Sequence, residues 1–399
     1  MSWIHRITAT LFLGATFIAG SLTAQESLTI IKASRVYVGD GTVIDGGMVS
    51  FKDGRIVQVA AKIETPDGAT VIDLGEGTIT PGLIDASTDT GLGSRSIDER
   101  SEVIPEDAAV DGIDWFAKTF RMQAREGVTS VFVGGGTAGV IGPRGAVVKT
   151  TGPVAGRVIL ADGAVRAVFN DSPERGNRRP SGTNPPSLKS RRPTTKMGSV
   201  FVFRDAMSNA LGGVGNLESN GVLAEVLKGG RTMHAMADLP HEFAMARALS
   251  REFGIKFVIE RAKRVHECLD VVKGHDYSVI YGPAPQSVTH ARRERTLLST
   301  PSLLQRNGIT FALTAAGQTG ANGLGVQCTR AIRHGLSVDD AVVAVTGTPA
   351  KLLGVDKRIG TLVAGKDADI VCWTKGAFGV GSRPKVVFVG GEKVKGRTY

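Results

Sequence analysis

Hydrophobic and polar positions divide this chain into three regimes. Residues 25–80 carry short apolar runs broken by Gly/Asp turns. Leu28-Thr29-Ile30-Ile31 and Arg35-Val36-Tyr37-Val38 precede Gly39-Asp40-Gly41. Gly47-Met48-Val49-Ser50-Phe51 and Arg55-Ile56-Val57-Gln58-Val59 flank Lys52-Asp53-Gly54. An Asp-Gly turn between two such runs predicts a β-hairpin. From residue 81 to 354 short apolar strands alternate with helical stretches. Thr129 to Val133, Arg157 to Ala161 and Ala164 to Phe169 read as strands. So do Thr232 to Met236, Lys256 to Glu260, Tyr277 to Tyr281 and Thr310 to Thr314. Helices are expected over Trp115–Arg125, Leu239–Phe253 and Ala262–Lys273, and near Gly325–His334 and Ser337–Thr346. Repeated strand–helix–strand order predicts a parallel sheet. A count of about eight strands favours a closed (β/α)8 barrel over an open doubly wound sheet. Residues 355–399 return to β, with Gly360 to Val363, Ala368 to Trp373 and Lys385 to Val389 as runs. The two terminal β-blocks are expected to join in one composite sandwich beside the barrel.

Composition agrees with an α/β protein. The 399 residues are 42% hydrophobic and 22% charged, and 52 are glycine, the residue that tight strand-to-helix turns use most. The formal charge is +10. Between Asn170 and Gly198 seven basic residues face two acidic ones, so one Pro/Ser/Arg-rich stretch supplies 7 − 2 = +5. Both a mobile lid and a disordered insertion remain open for residues 170–198. The stretch has no aromatic residues for base stacking, which argues against a nucleic-acid partner.

His5-Arg6, an uncharged apolar run from Ile7 to Ile18 and the small residues before Gln25 fit a secretory signal peptide over residues 1–24. The run is shorter than the ~20 residues of a spanning helix, although an N-terminal anchor stays open. An exported protein, periplasmic or secreted, with no stable membrane span after cleavage is expected. Cys268, Cys328 and Cys372 are odd in number and far apart, so they read as buried hydrophobes rather than a disulfide or zinc framework.

Four passages carry a family resemblance. They are Pro81-Gly82-Leu83-Ile84-Asp85, Glu126-Gly127-Val128-Thr129-Ser130-Val131, Thr346 to Val355 (TGTPAKLLGV) and Gly365-Lys366-Asp367-Ala368-Asp369-Ile370-Val371. In this order they resemble the amidohydrolase superfamily, closest to its imidazolonepropionase-like members. The resemblance implies a metal-dependent hydrolase of non-peptide C–N bonds, with ligands at the C-terminal ends of different strands. A metal such as zinc would lower the pKa of a bound water and polarise a carbonyl.

At the positions implied by that resemblance the residues differ. The first-strand His-x-His pair is Ser87 and Asp89. Arg166 stands at the fourth-strand lysine, and a guanidinium cannot form the bridging carbamate. His234 matches the fifth-strand histidine. Arg261 replaces the sixth-strand histidine, and Ala316 the eighth-strand acid. Only His234 and Asp89 could serve a metal. At 4 Å and an effective dielectric of 20, unit charges interact by about 4 kcal/mol, so arginines at ligand positions oppose a cation. The expectation is that Arg166 and Arg261 stand in for the missing metal charge and that Asp89 pairs with one of them.

Other candidates carry less. His241, with Asp238 and Glu242, spans a strand-to-helix turn and does not share one face with His234. Gly134-Gly135-Gly136 lacks a Gly-Lys-Ser/Thr ending and reads as a tight barrel loop. Ser87 has no base at fixed spacing and reads as pocket wall rather than nucleophile. Two functions stand. One is a degenerate family member without a cofactor, binding a small molecule at the barrel mouth, as a homo-oligomer or beside an intact amidohydrolase. The other is an active hydrolase of cyclic amides or dipeptide-like substrates that uses His234 and Asp89.

Overall fold

The computed structural model describes residues 28–93, 101–178 and 192–395. The expected signal segment, 1–24, lies outside the described residues, as does much of the basic insertion. Among the described residues no helix is long and apolar enough to cross a membrane.

The N-terminal block contributes β1 (Thr29–Lys32), β2 (Arg35–Tyr37), β3 (Val43–Asp45), β4 (Met48–Lys52), β5 (Arg55–Ala60), β6 (Thr70–Asp73) and β7 (Thr78–Pro81). The predicted hairpin at Asp53-Gly54 joins β4 to β5, antiparallel. One four-stranded sheet has the order β5-β4-β1-β6.

The central region supplies β8 (Leu83–Thr88), β9 (Val128–Val133), β10 (Ile141–Arg144), β11 (Ala146–Lys149), β12 (Val158–Leu160) and β13 (Val165–Val168). It continues through β14 (Met233–Ala237), β15 (Phe257–Arg261), β16 (Ser278–Tyr281) and β17 (Phe311–Leu313). β13 to β17 run parallel in sequence order, and β8 pairs parallel with β9. Their buried residues alternate between two environments. Ile84, Phe132, Val258, Ile280 and Ala312 share the inner cluster. Met233, Ala235, Phe257, Ile259, Val279 and Leu313 pack with helix residues such as Phe243 and Leu249. Burial on both faces is why these strands read as nearly continuous apolar runs.

The barrel-like region departs from the expected uniform repeat in two ways. Between β9 and β13 the chain inserts β10, β11 and β12 with antiparallel pairing instead of another strand–helix unit. The strands also form two sheets, β12-β11-β9-β8 and β10-β13-β14-β15-β16-β17, rather than one closed ladder. Side chains bridge β17 to β8 where ladder bonds are missing. The Thr314 hydroxyl meets the Asp85 carboxylate and lies 3.0 Å from the Ser87 carbonyl.

β18 (Ile370–Trp373), β19 (Pro384–Val389) and β20 (Glu392–Lys393) end the described chain. The sheet order β20-β19-β18-β7-β2-β3 mixes strands from both ends. Its Ile79, Ile370, Cys372 and Phe388 pack with Ile31, Val49 and Phe51 of the other sheet, which makes the composite sandwich. Gly82 follows β7 because a Cβ there would collide with Thr129 of β9.

The three cysteines are free and buried, as expected. Within 170–198 the described parts include helices at Ser172–Arg178 and Lys196–Gly212. Thr195 caps the second by accepting from Gly198 N at 3.2 Å. A helix therefore starts inside the stretch for which a mobile lid and a disordered insertion were both open.

Candidate functional site

Strand alternation builds the site. Val165 and Ala167 pack outward in β13, as do Met233 and Ala235 in β14, leaving Arg166 and His234 on the other face. The two are paired across the ladder. In β15, Phe257 and Ile259 pack outward and Val258 inward, so the next inward residue is Glu260.

These side chains form one buried ion network. Arg166 Nε donates to Glu260 Oε2 at 2.8 Å. His234 Nδ1 lies 2.7 Å from Glu260 Oε1. Arg166 Nη2 reaches Ser87 Oγ at 3.3 Å, and Nη1 reaches Asp89 Oδ1 at 3.5 Å. Arg166 and Glu260 are 2% and 0% exposed, whereas the Asp89 side chain is 47% exposed. Burial alone would push the Glu260 carboxyl up, but the Arg166 charge and the His234 hydrogen bond outweigh it and hold it at about 2. Burial works against the Arg166 charge as well, yet Glu260 and Asp89 raise its pKa. With Glu260 ionised, His234 Nδ1 carries the hydrogen. Nε2 is buried without a hydrogen-bond partner.

The glycine run after β9 serves this arginine. A Cβ on Gly134 would lie 2.5 Å from Arg166 Nη2, and the Gly135 carbonyl accepts from Nη1. That close approach explains the glycines without a phosphate.

Ser87, Asp89, Arg166 and His234 thus meet as the sequence indicated, and Asp89 takes Arg166 as its partner. Ala316 belongs to the same rim. It lines a cavity of about 500 Å³ with Asp89, Thr90, Asp114, Lys118 and Gly317. Arg261 corrects the sequence reading. The inward position of β15 is Glu260, and among the described residues Arg261 makes no hydrogen bond or ion pair to the network. One residue of register separates the two, and a strand slip of one exchanges faces. Glu260 was missed as a site residue, although a lone glutamate inside an apolar strand was a visible signal. Asp85 was read only as part of a motif. Burial pushes its carboxyl up to about 6, against hydrogen bonds from Thr314, Gly317 and Ala315. His241 is exposed and 3.8 Å from Glu242, away from His234's partners. Lys196 donates to the Phe169 carbonyl at 2.7 Å and lies 3.2 Å from Glu242, fastening this end of the insertion after β13.

A divalent metal does not fit this donor set. A guanidinium stands among the carboxylates, both Glu260 oxygens are engaged, and among the described residues no three His, Cys, Asp or Glu side chains could hold an ion. The network can fix charge rigidly and present Asp89 to a ligand in the cavity.

Comparison with known proteins places this architecture. A sequence model described as the amidohydrolase family matches residues 223–394. Amidohydrolase tasK of Hapsidospora irregularis is 24% identical over 401 residues, covering 86% of this chain and 39% of that protein. The chain therefore spans about two fifths of the length of this curated relative. The crystal structure of an amidohydrolase from Thermotoga maritima MSB8 superposes with a TM-score of 0.83 at 25% identity, covering 92% of this chain and all of that one (100%). A putative prolidase from Bifidobacterium longum shares the fold, with a TM-score of 0.53 at 16% identity over 92% of this chain and 94% of that one. The barrel-like strand–helix region with its β-sandwich matches the architecture of these amidohydrolase structures. The family match over residues 223–394, the sequence relative and the superposed structure support a place in the amidohydrolase superfamily.

Proposed function

We propose that this amidohydrolase-family protein binds a small molecule at the barrel mouth and has lost metal-dependent hydrolysis. One observation carries the reading: the Arg166 guanidinium is buried 2.8 Å from Glu260 and shares Asp89, where the family resemblance implies metal ligands. A divalent ion would have to displace this cation and compete for both carboxylates. The cavity beside Asp89 and Ala316 offers the space for a ligand.

A second reading, an active hydrolase of cyclic amides or dipeptides through His234 and Asp89, is favoured by the unpartnered Nε2 of His234. Metal content measured on the purified protein, together with hydrolysis of a panel of cyclic amides and dipeptides, separates the two. The first reading expects well under one zinc per chain and no turnover. Near-stoichiometric zinc, lost together with activity in His234→Ala, would establish the second.

A further inference from the structure

The helix Lys196–Gly212 and the turn after it carry an apolar face that the described residues leave uncovered. The buried side of the helix is Ser199, Phe203, Ala206 and Met207. Met197, Phe201, Leu211, Val214 and Leu217 are each more than half exposed. They are five of the fourteen large exposed apolar side chains among the described residues, so the exposure is concentrated here rather than scattered. At about 3.6 residues per turn, Met197, Phe201, Ser208 and Leu211 fall on one line along the helix, opposite its buried side. Arg204 and Asp205 sit near the middle of that line, on either side of it. Arg204 Nε donates to Glu252 Oε1 at 2.8 Å. Asp205 accepts from Asn209 Nδ2 at 3.2 Å, and among the described residues it has no ion pair.

Charge divides the face along its length. A groove beside the line, with Phe201, Asp205, Val214, Glu102 and Glu106 in its walls, encloses about 420 Å³ and has no Lys, Arg or His in its lining. At the start of the helix the Arg192 guanidinium sits 5.6 Å from the centre of the Phe201 ring. The face is basic at its start, acidic from Asp205 onwards, and apolar at both ends. A second copy of the chain matches this pattern. A two-fold axis between Arg204 and Asp205 sets the helix antiparallel to its counterpart. Phe201 then lies over Ser208, a large side chain against a small one, Met197 over the last turn at Leu211 and Gly212, and Arg204 over Asp205. Each contact occurs twice, as an isologous interface requires. The basic start of one helix meets the acidic groove of the other, and this complementarity selects a second copy as the occupant.

We propose that this helix face joins two copies of the chain in a two-fold dimer. Sedimentation velocity on the purified protein is expected to show that dimer. Leu211→Glu should weaken association at least about tenfold. Asp205→Arg and Arg204→Glu should each weaken it by placing like charges across the axis, and the double variant should recover it, because both partners are then reversed together. These side chains are exposed, so thermal unfolding should barely move in any of the variants. Asp205→Cys should cross-link to its counterpart through a short bismaleimide, and the buried Cys268, Cys328 and Cys372 do not compete. A monomeric wild type overturns the proposal, and a monomer that floats with phosphatidylcholine–phosphatidylglycerol vesicles gives the face to a membrane instead. A dimer that Leu211→Glu leaves intact and Asp205→Cys does not cross-link uses another face, which overturns it as well.

Discussion

Two buried cations, Lys149 and Arg166, each pair with two carboxylates, and their surroundings differ. Lys149, at the seam between barrel and sandwich, lies 2.7 Å from Asp367 and 2.8 Å from Asp369. All three side chains are nearly inaccessible. Asp367 also takes Arg55 and Arg358, each at 3.0 Å, and Asp369 accepts from Gly390 N at 2.7 Å. Arg166, at the barrel mouth, takes one carboxylate that is fully buried and one that is half exposed beside a cavity. The seam cluster is held by more partners, although Lys149, Arg55, Arg358 and Asp367 line a smaller cavity of about 220 Å³. The mouth cluster is closed below and open above. The Gly365 to Val371 motif lies where the ions hold two domains together.

Removing each cation should break the comparison most sharply. Arg166→Met leaves Glu260 buried without its ion partner and is expected to lower stability by about 3–5 kcal/mol. Lys149→Met should lower it by about 2–3 kcal/mol, because Arg55 and Arg358 still face Asp367. Urea-unfolding midpoints give the order, and a larger loss at Lys149 would reverse the assignment of roles.

The next effect is in pH. Glu260 is held at about 2, below its ordinary 4.5, so its contribution is full above pH 4.5 and is lost as pH falls towards 2. Asp85 runs the other way. Its carboxyl is raised from 3.8 to about 6, so its contribution is full below 3.8 and is lost as pH rises through 6. Each shift corresponds to about 3 kcal/mol. Unfolding measured from pH 7 to pH 2 should show stability rising towards about pH 4 and then falling. Asp85→Asn should flatten the first limb and Glu260→Gln the second. A Glu260→Gln profile identical to wild type would show that the ion network does not hold that carboxylate.

The smallest effect concerns the open side. Asp89→Asn removes a half-exposed partner at 3.5 Å and should change stability by less than about 1 kcal/mol. A loss as large as that of Arg166→Met would make Asp89 as integral to the mouth as Asp367 is to the seam.

Much of this was legible in the sequence for local reasons. Asp53-Gly54 announced a hairpin, apolar runs announced buried parallel strands, and Asp367-x-Asp369 lies within one short segment that can be read as a motif. The mouth has no such segment, because Ser87, Arg166, His234 and Glu260 come from different strands. Motif comparison found the strand ends, but the inward face of β15 depends on its register, and that is set by Phe257 and Ile259 packing outward. The antiparallel detour through β10–β12 was hidden because short apolar strands read alike in either direction. The positive φ at Arg261 has no residue signature at all, since arginine is not a residue that favours it.

The pairing of β7 with β18 has a consequence for biogenesis. Thr78 to Pro81 find their ladder partners in Ile370 to Trp373. During synthesis the early strand leaves the ribosome long before its partner exists, with the whole barrel translated in between. Loop closure over that distance must precede the contacts that reward it, which slows folding and leaves a hydrophobic edge unprotected meanwhile. Chaperone demand should therefore persist until Ile370 to Trp373 emerge, and truncations ahead of Ile370 should be trapped by holdases rather than fold.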